Sequence, residues 1–213
     1  MSVPKLLLAT KNPAKVREYS RLLEGIPYEI VTLADVSINQ VVEETGKTLE
    51  QNAALKAKAY ASLSNLLTLA DDSGLEVDAL GGEPGALSAR FAGEGASDKV
   101  RIDYLLAKLS GIAWEQRTAR FQCMIAIASL DGKVALCQGE CQGIIALKPK
   151  GDNGFGYDPI FYLPELGKTM AELSMDEKNE VSHRGKAVRK ARHILEQRMM
   201  RKLRKAQKAN QYK

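Results

Sequence analysis

The stretch from Leu69 to Leu75, which reads Leu-Ala-Asp-Asp-Ser-Gly-Leu, places the strongest constraint on how this chain can fold. An apolar, strand-like run leads directly into two adjacent carboxylates, a hydroxyl and a glycine. Neighbouring carboxylates repel, so a fold keeps them at the end of a strand only where a cation, a proton or several donors offset the repulsion. We interpret the stretch as a place where a sheet holds a metal ion or a water. A plain turn is the competing interpretation, because Asp, Ser and Gly all favour turns.

The formal charge of +5 has its origin at the end of the chain. Seven basic residues and no acidic residue lie between Arg198 and Lys213, so residues 1–197 carry a formal charge of −2. The chain thus divides into a mildly acidic body, residues 1–197, and a basic extension, residues 198–213. Most such tails are solvated, so nucleic acid is not the expected partner, although weak and salt-sensitive binding by the tail stays open.

The hydropathy of the chain indicates the compartment in which the protein is expected. No apolar run among the 213 residues approaches the roughly 18 residues that a membrane helix needs, and Met1 leads into a short strand without a signal-peptide pattern. We therefore expect a cytoplasmic protein with no membrane partner.

Hydrophobic spacing predicts strands that alternate with helices near the start and a long hairpin in the middle. Thr48 is a suitable helix N-cap, and Gln51 fits a capping box with it. The expected fold class is α/β, with a mixed, elongated sheet flanked by helices. The predicted strands span residues 5–9, 29–33, 67–70, 119–128 and 133–147. One predicted helix begins at Pro13, and the other predicted helices span residues 48–63, 97–109 and 186–205.

The loop from Ala9 to Lys15 has the strand–loop–helix context of a phosphate cradle. Lys15 would lie in the first helical turn, near the positive end of the helix dipole. The pattern GxxxxGK[ST] occurs nowhere in the chain, so the usual mechanism of P-loop triphosphatases is not supported. A loop that merely caps the helix is the alternative.

A second polar cluster combines Glu43 to Gly46 with Asn52 and Lys56. The last two lie four residues apart on one helix face, so an amide and an ammonium could grip a phosphate together. An ordinary amphipathic surface helix is the alternative. The three cysteines have no CxxC spacing and only two histidines are present, so any metal is expected to be a hard ion held by oxygen, which points to Mg²⁺.

The segment from Gly154 to Pro159 places Phe155 between two glycines and Tyr157 directly after the second one, where aromatic rings either stack on a ligand such as a nucleobase or fold back on the core. Further along, His183 and Arg184 supply neighbouring donors that suit an acceptor such as a keto oxygen. His183 could otherwise be a general base or a surface residue. No Ser-His-Asp arrangement supports a nucleophilic triad.

In this order, the motifs resemble those of the inosine/xanthosine triphosphate pyrophosphatase family, also called the Ham1-like family, to about Arg192. The resemblance is carried by residues 9–15, 44–46, 52–57, 71–75, 84–85, 88–90, 154–159 and 182–187. It implies a Mg²⁺-dependent hydrolysis of ITP, dITP and XTP to the monophosphate and pyrophosphate. It also implies a homodimer whose subunits, here residues 1–197, have two lobes and hold the purine nucleotide in a central cleft.

The resemblance also implies a role for each matching residue. Asp72 would be the general base, and Glu44 and Asp72 would lie near the metal. Phe155 would stack on the base, with Gly156, Tyr157 and Asp158 around it. The triphosphate would be held by Lys56 and by the loop of Thr10, Lys11, Asn12, Pro13, Ala14 and Lys15, with Ser73 beside it. The purine pocket would be completed by Lys178, His183 and Arg184.

Donors from His183 or Arg184 would favour a 6-keto purine over adenine, whereas GTP shares the keto group and is not excluded by them. Two other functions compete with this one. A nucleotide-binding sensor without catalysis is disfavoured by the acid pair, which gains nothing beside a triphosphate unless a cation is present. A pyrophosphatase for modified pyrimidine nucleotides is the nearer rival.

Overall fold

A computed structural model describes residues 3–211 and shows one mixed β-sheet flanked by helices. The strands are β1 Lys5–Leu8, β2 Glu29–Thr32, β3 Leu67–Val77, β4 Pro84–Gly85, β5 Thr118–Ala128, β6 Val134–Ile145, β7 Phe161–Leu163 and β8 Lys168–Thr169. Their order in the sheet is β2-β1-β3-β5-β6-β7-β8, with the short β4 paired to β3. The helices are α1 Pro13–Leu22, α2 Leu49–Ser64, α3 Asp98–Lys108, α4 Met175–Val181 and α5 His183–Gln211.

Three long strands, β3, β5 and β6, connect two hydrophobic regions. In one region the sheet is covered by α1 and α5 on one face and by α2 on the other. In the other region Leu75, Ile102, Phe121 and Phe161 form a separate core beneath α3. The cores lie at different positions along the same strands, and the expected fold class is confirmed.

The longest strand differs from its prediction. Strand β3 does not end at Ala70 but continues to Val77, so Asp71 and Asp72 lie in its middle. Both residues pair with β5, Asp71 opposite Ile125 and Asp72 opposite Met124. Neither a turn nor the end of a strand is present here, because the partner strand holds the backbone extended. Since side chains alternate along a strand, the two carboxylates project from opposite faces of the sheet.

Strand β1 ends earlier than its neighbour. Its parallel pairing with β3 ends at Leu8 and Leu69, and the backbone N–H of Ala9 donates to the carbonyl of Leu69 at 2.8 Å. Pairing on this edge of β3 resumes only at Leu75, opposite Gly85 of β4. The part of β3 that carries both aspartates therefore borders a gap in the sheet.

Two helix ends also differ from the expectation. Helix α5 begins at His183 rather than Lys186, because the Ser182 hydroxyl accepts the Gly185 N–H at 3.1 Å. Thr48 caps α2 as predicted, but Gln51 accepts the N–H of Lys47 instead of completing the capping box. No helix among residues 3–211 is long and apolar enough to cross a bilayer.

Candidate active site

A cleft of about 320 Å³ lies between the two hydrophobic regions. Among the predicted site residues, only Pro13 and Ala14, the first two residues of α1, do not line it. The lining includes Thr10, Lys11, Asn12, Lys15, Glu44, Lys56, Asp72, Ser73, Phe155, Gly156, Tyr157, Asp158, Lys178, His183 and Arg184.

The loop after β1 caps α1 and also lines the cleft. The Asn12 side chain caps α1 by accepting the N–H groups of Ala14 at 2.9 Å and Lys15 at 3.3 Å. This cap directs α1 so that Lys15 reaches back to Asp71, with Nζ and Oδ2 2.8 Å apart. The loop is thus both a helix cap and one wall of the cleft.

On the α2 face of β3, Asp72 lies among polar partners. Asn52 Nδ2 donates to Asp72 Oδ2 at 3.1 Å, and Lys56 Nζ donates to Asp72 Oδ1 at 3.4 Å. The same ammonium donates to Glu44, so both carboxylates face one point in the cleft. Asn52 also accepts the Gly46 N–H at 2.8 Å, which fixes the loop that carries Glu44. The amide and ammonium point together as predicted, but both contact a carboxylate.

The two aspartates differ in acidity because their surroundings differ. Burial raises the pKa of Asp72, and Glu44 adds to this, while Lys56 opposes it. Burial also disfavours the charged form of Asp71, but Lys15 and Arg184 outweigh it and hold its pKa below the ordinary value. Two carboxylates with pKa values pushed apart are typical of a site that uses one as a base and the other as a fixed charge.

On the opposite face of β3 lies a buried cluster of charges around Glu18. Lys178 Nζ donates to Glu18 Oε1 at 2.7 Å and to Asp158 Oδ2 at 2.5 Å. Arg184 pairs with the other oxygen of Glu18 and donates to Ser73 Oγ at 3.3 Å. Although burial would raise the pKa of Glu18, the two cations hold it below its ordinary value.

No sequence motif points to Glu18 as part of the site. The only available signal was its position on α1, three residues after Lys15 and next to the buried Tyr19, where an acidic residue needs a partner. Ser88 and Arg101 also line the cleft and were not assigned a role.

The aromatic residues of the segment after Gly154 separate into two roles. Tyr157 folds onto the core and donates its hydroxyl to the Ser88 carbonyl at 2.9 Å. The Phe155 ring lines the cleft between two cations, with its centroid 5.0 Å from Lys178 Nζ and 5.4 Å from Arg184 Cζ. Of these two rings, Phe155 is therefore the one that a flat ligand could stack on.

His183 is buried at the first residue of α5, with its ring stacked on Phe121 at a centroid distance of 4.7 Å. Burial lowers its pKa well below the ordinary value, and Arg184, Lys178 and nearby lysines lower it further, so the imidazole is neutral. Its Nδ1 is buried without a hydrogen-bond partner among the described residues. A buried polar atom without a partner at the wall of a cleft is typical of a ligand contact.

Two carboxylates of the cleft are the candidate ligands for a hard cation. Within residues 3–211, no group of three or more His, Cys, Asp or Glu side chains could hold a metal ion. Glu44 and Asp72 alone share one point, occupied by the Lys56 ammonium. Two carboxylates suit Mg²⁺ where a phosphate ligand and water supply the other oxygens.

Known proteins are similar to this chain over most of its length. The sequence profile described as the Ham1 family matches residues 6–194. The dITP/XTP pyrophosphatase of Bacillus subtilis is 47% identical over 190 residues, which cover 89% of this chain and 96% of the relative. That of Desulforamulus reducens is 50% identical over 191 residues, covering 90% and 95%.

Solved structures are similar as well. A HAM1 protein from Coxiella burnetii has a TM-score of 0.82 and 40% identity, covering 90% of this chain and 98% of that one. The Ham1 protein of Staphylococcus aureus has a TM-score of 0.82 and 42% identity, covering 91% and 99%. Residues 195–213 lie beyond the family match.

Proposed function

Because the chain belongs to the Ham1 family, we propose that it is a nucleoside triphosphate pyrophosphatase that hydrolyses dITP, ITP and XTP to the monophosphate and pyrophosphate. Such a reaction removes deaminated purines from the nucleotide pool. The proposal is carried by two features that lie in one cleft. One is Asp72, a carboxylate of raised pKa beside Lys56 and Glu44, and the other is the Phe155 ring, which forms a wall of the size of a nucleobase.

Asp72 is the proposed general base. A carboxylate of raised pKa accepts a proton more readily than an ordinary one, and Asn52 holds one of its oxygens in place. Asp72 would orient a water and take its proton as the water attacks the α-phosphorus. Lys15 and Lys56, whose ammonium groups line the cleft, would offset the charge of the triphosphate.

Mg²⁺ is the proposed cofactor, with Glu44 and Asp72 as its protein ligands. When bound, the ion would neutralise charge on the phosphate oxygens. Glu44→Gln should raise the Mg²⁺ concentration needed for half-maximal activity by about tenfold or more. Glu43→Gln is the matched control, because Glu43 is the exposed neighbour. Equal Mg²⁺ requirements in the two variants would remove Glu44 from the metal site.

Base recognition is assigned to the other end of the cleft. Phe155 would stack on the purine, and the neutral His183 or the Arg184 guanidinium would donate to a 6-keto oxygen. Adenine carries an amino group there, so a donor would face a donor and ATP would bind poorly. Lys178 and Asp158 contact each other and would hold the segment that carries Phe155.

The subunits are proposed to form a homodimer, which sedimentation equilibrium would test as a mass twice that of the chain. A monomer at the enzyme's working concentration would exclude it.

The activity is tested by incubating the protein and Mg²⁺ separately with ITP, dITP, XTP, GTP, ATP and dUTP. Pyrophosphate and orthophosphate are measured in parallel. Pyrophosphate from the first three, with little from GTP or ATP, is the expected result. Release from dUTP alone would favour the pyrimidine alternative, and release from none would leave a binding function.

Asp72→Asn separates catalysis from binding. The amide keeps the shape of the side chain but cannot accept the proton, so kcat should fall by about 10²- to 10⁴-fold while ITP still binds. Asp103→Asn, at an exposed position of α3, is the control. A kcat unchanged in Asp72→Asn would show that another group is the base.

A further inference from the structure

The last part of α5 is a surface that the proposed reaction does not use. The helix packs against the sheet as far as Leu195 and continues as a helix to Gln211. This continuation begins just after the end of the family match, whose alignments cover nearly the whole length of the curated relatives. The shared fold therefore does not require it.

The side chains of this segment are arranged by charge. Six exposed cations lie between residues 198 and 208, and no acidic residue occurs from there to the end of the chain. At 3.6 residues per turn, all six fall within an arc of about 160° around the helix. They are Arg198, Arg201, Lys202, Arg204, Lys205 and Lys208. The seventh basic residue of the predicted tail, Lys213, lies outside the described residues.

This arrangement costs helix stability unless an anion is present. Arg201 and Lys205 lie four residues apart, as do Arg198 and Lys202, and Arg204 and Lys208. Each such pair of like charges destabilises a helix by about 0.2–0.5 kcal/mol. A ligand with closely spaced negative charges would remove this repulsion.

From these observations we propose that the basic arc of α5, residues 198–208, binds the phosphate backbone of nucleic acid without sequence selectivity. At 1.5 Å per residue, six cations over about 15 Å give roughly one charge per 3 Å. A nucleic acid strand presents one phosphate per about 3.4 Å, so the two charge densities match.

An anionic membrane is the other surface that such a helix could meet, and the sequence disfavours it. The face opposite the cations carries Met199, Met200 and Leu203, of which the last two are 51% and 47% exposed. The same face continues with Gln207, and no aromatic residue occurs between residues 198 and 211. Helices that insert into a bilayer surface have a longer apolar face, often with Trp or Phe.

The arc is independent of the cleft. Along α5, Arg198 lies about 22 Å from His183 and Lys208 about 37 Å. Both distances exceed the screening length of about 8 Å at physiological salt. Changes in the arc should therefore leave nucleotide hydrolysis unchanged, so that a failure of this proposal is distinct from a failure of the proposed enzyme.

The test uses the full chain and fluorescence anisotropy with labelled single-stranded RNA, single-stranded DNA and duplex DNA of about 20 nucleotides or base pairs, between 50 and 200 mM salt. The variant R201Q/K205Q/K208Q removes three charges from the arc. The variant K99Q/K133Q/K148Q removes three exposed lysines from the body and is matched in net charge. A chain ending at Gln197 and vesicles containing phosphatidylglycerol complete the set.

The wild-type chain should bind all three nucleic acids, with a salt slope of up to about −4 for single strands. The arc variant should lose about half of that slope, and the body variant should keep it. The shortened chain should lose binding but keep its rate of ITP hydrolysis. Equal affinity in the wild-type and shortened chains, equal loss in the two triple variants, or binding to vesicles without binding to nucleic acid would each overturn the proposal.

Discussion

Gly139→Ala should impair the candidate active site although Gly139 does not line the cleft, because Gly139 lies on β6 beneath the first turn of α5. A Cβ at this position would lie 2.5 Å from the backbone N of Ala187 and closer still to the carbonyl oxygen of His183. Real Cβ contacts are essentially never shorter than 3.0 Å. The clash with the His183 oxygen is the tighter one, so the first turn of α5 must move by roughly an ångström, and it carries His183 and Arg184 with it.

The size of the effect follows from this displacement. A misplacement of about 1 Å in a binding constellation can cost about 10²-fold in rate, so kcat/KM for ITP should fall by about 10- to 100-fold. Most of the loss should appear as a higher KM, because the displaced His183 and Arg184 are proposed to bind the purine. Asp72, the proposed general base, lies on another element. Overpacking should also lower the free energy of unfolding by about 1–3 kcal/mol.

The assay is steady-state pyrophosphate release at several ITP concentrations, with urea unfolding in parallel. Val188→Ala is the control: Val188 is a buried residue of α5, and its truncation should cost a similar amount of stability without pushing the helix from the sheet. If Gly139→Ala keeps kcat/KM within threefold of the wild type, or if Val188→Ala loses as much, then the close approach of α5 to β6 does not position the base pocket.

Two further predictions concern the buried charges. Glu18→Gln should lower the free energy of unfolding by about 3–5 kcal/mol, because it leaves the cations of Lys178 and Arg184 buried with one carboxylate fewer. Urea unfolding would measure this against the exposed Glu180→Gln, and a loss below about 1 kcal/mol would contradict it. In the folded protein the pKa of His183 is lowered, whereas in the unfolded chain His183 binds a proton near its ordinary pKa of about 6.5. Below that pH the unfolded state therefore binds more protons than the folded state. The free energy of unfolding should fall as the pH drops below about 6.5, by up to about 1.4 kcal/mol per pH unit. Unfolding at pH 7.5 and 5.5 should show a smaller acid loss in His183→Gln than in the wild type, with the exposed His193→Gln as control, and equal losses in all three would exclude a buried neutral imidazole.

Elements with a strong apolar pattern could be predicted from the sequence. Strands β1, β2, β5 and β6 and helices α2 and α3 begin and end within a few residues of the expectation, and α1 begins at Pro13 as expected, because their spacing reflects which face is buried. The extent of β3 could not be predicted. Asp, Ser and Gly favour turns locally, and only the pairing of residues 68–77 with β5 keeps them extended.

For a related reason, only part of the candidate site could be predicted from the sequence. A charged residue shows in the sequence, but its partner does not, since the partner comes from a distant element. Glu18 and Lys178 are 160 positions apart and are joined only when α1 and α4 pack together. Phe155 and Tyr157 each follow a glycine in the same short segment, so which ring faces the cleft depends on the distant carbonyl of Ser88.

The position of the two aspartates inside a strand, rather than in a turn, changes what they can do. In a turn, both carboxylates could face one cation. In β3, alternation sends Asp72 toward α2, with Glu44, Asn52 and Lys56, and Asp71 toward α1 and α5, with Lys15 and Arg184. One strand thus separates the proposed base from a carboxylate that fixes the cations of the nucleotide pocket. A single Asp-Asp step can therefore serve proton transfer on one face and substrate binding on the other, since their pKa values shift in opposite directions.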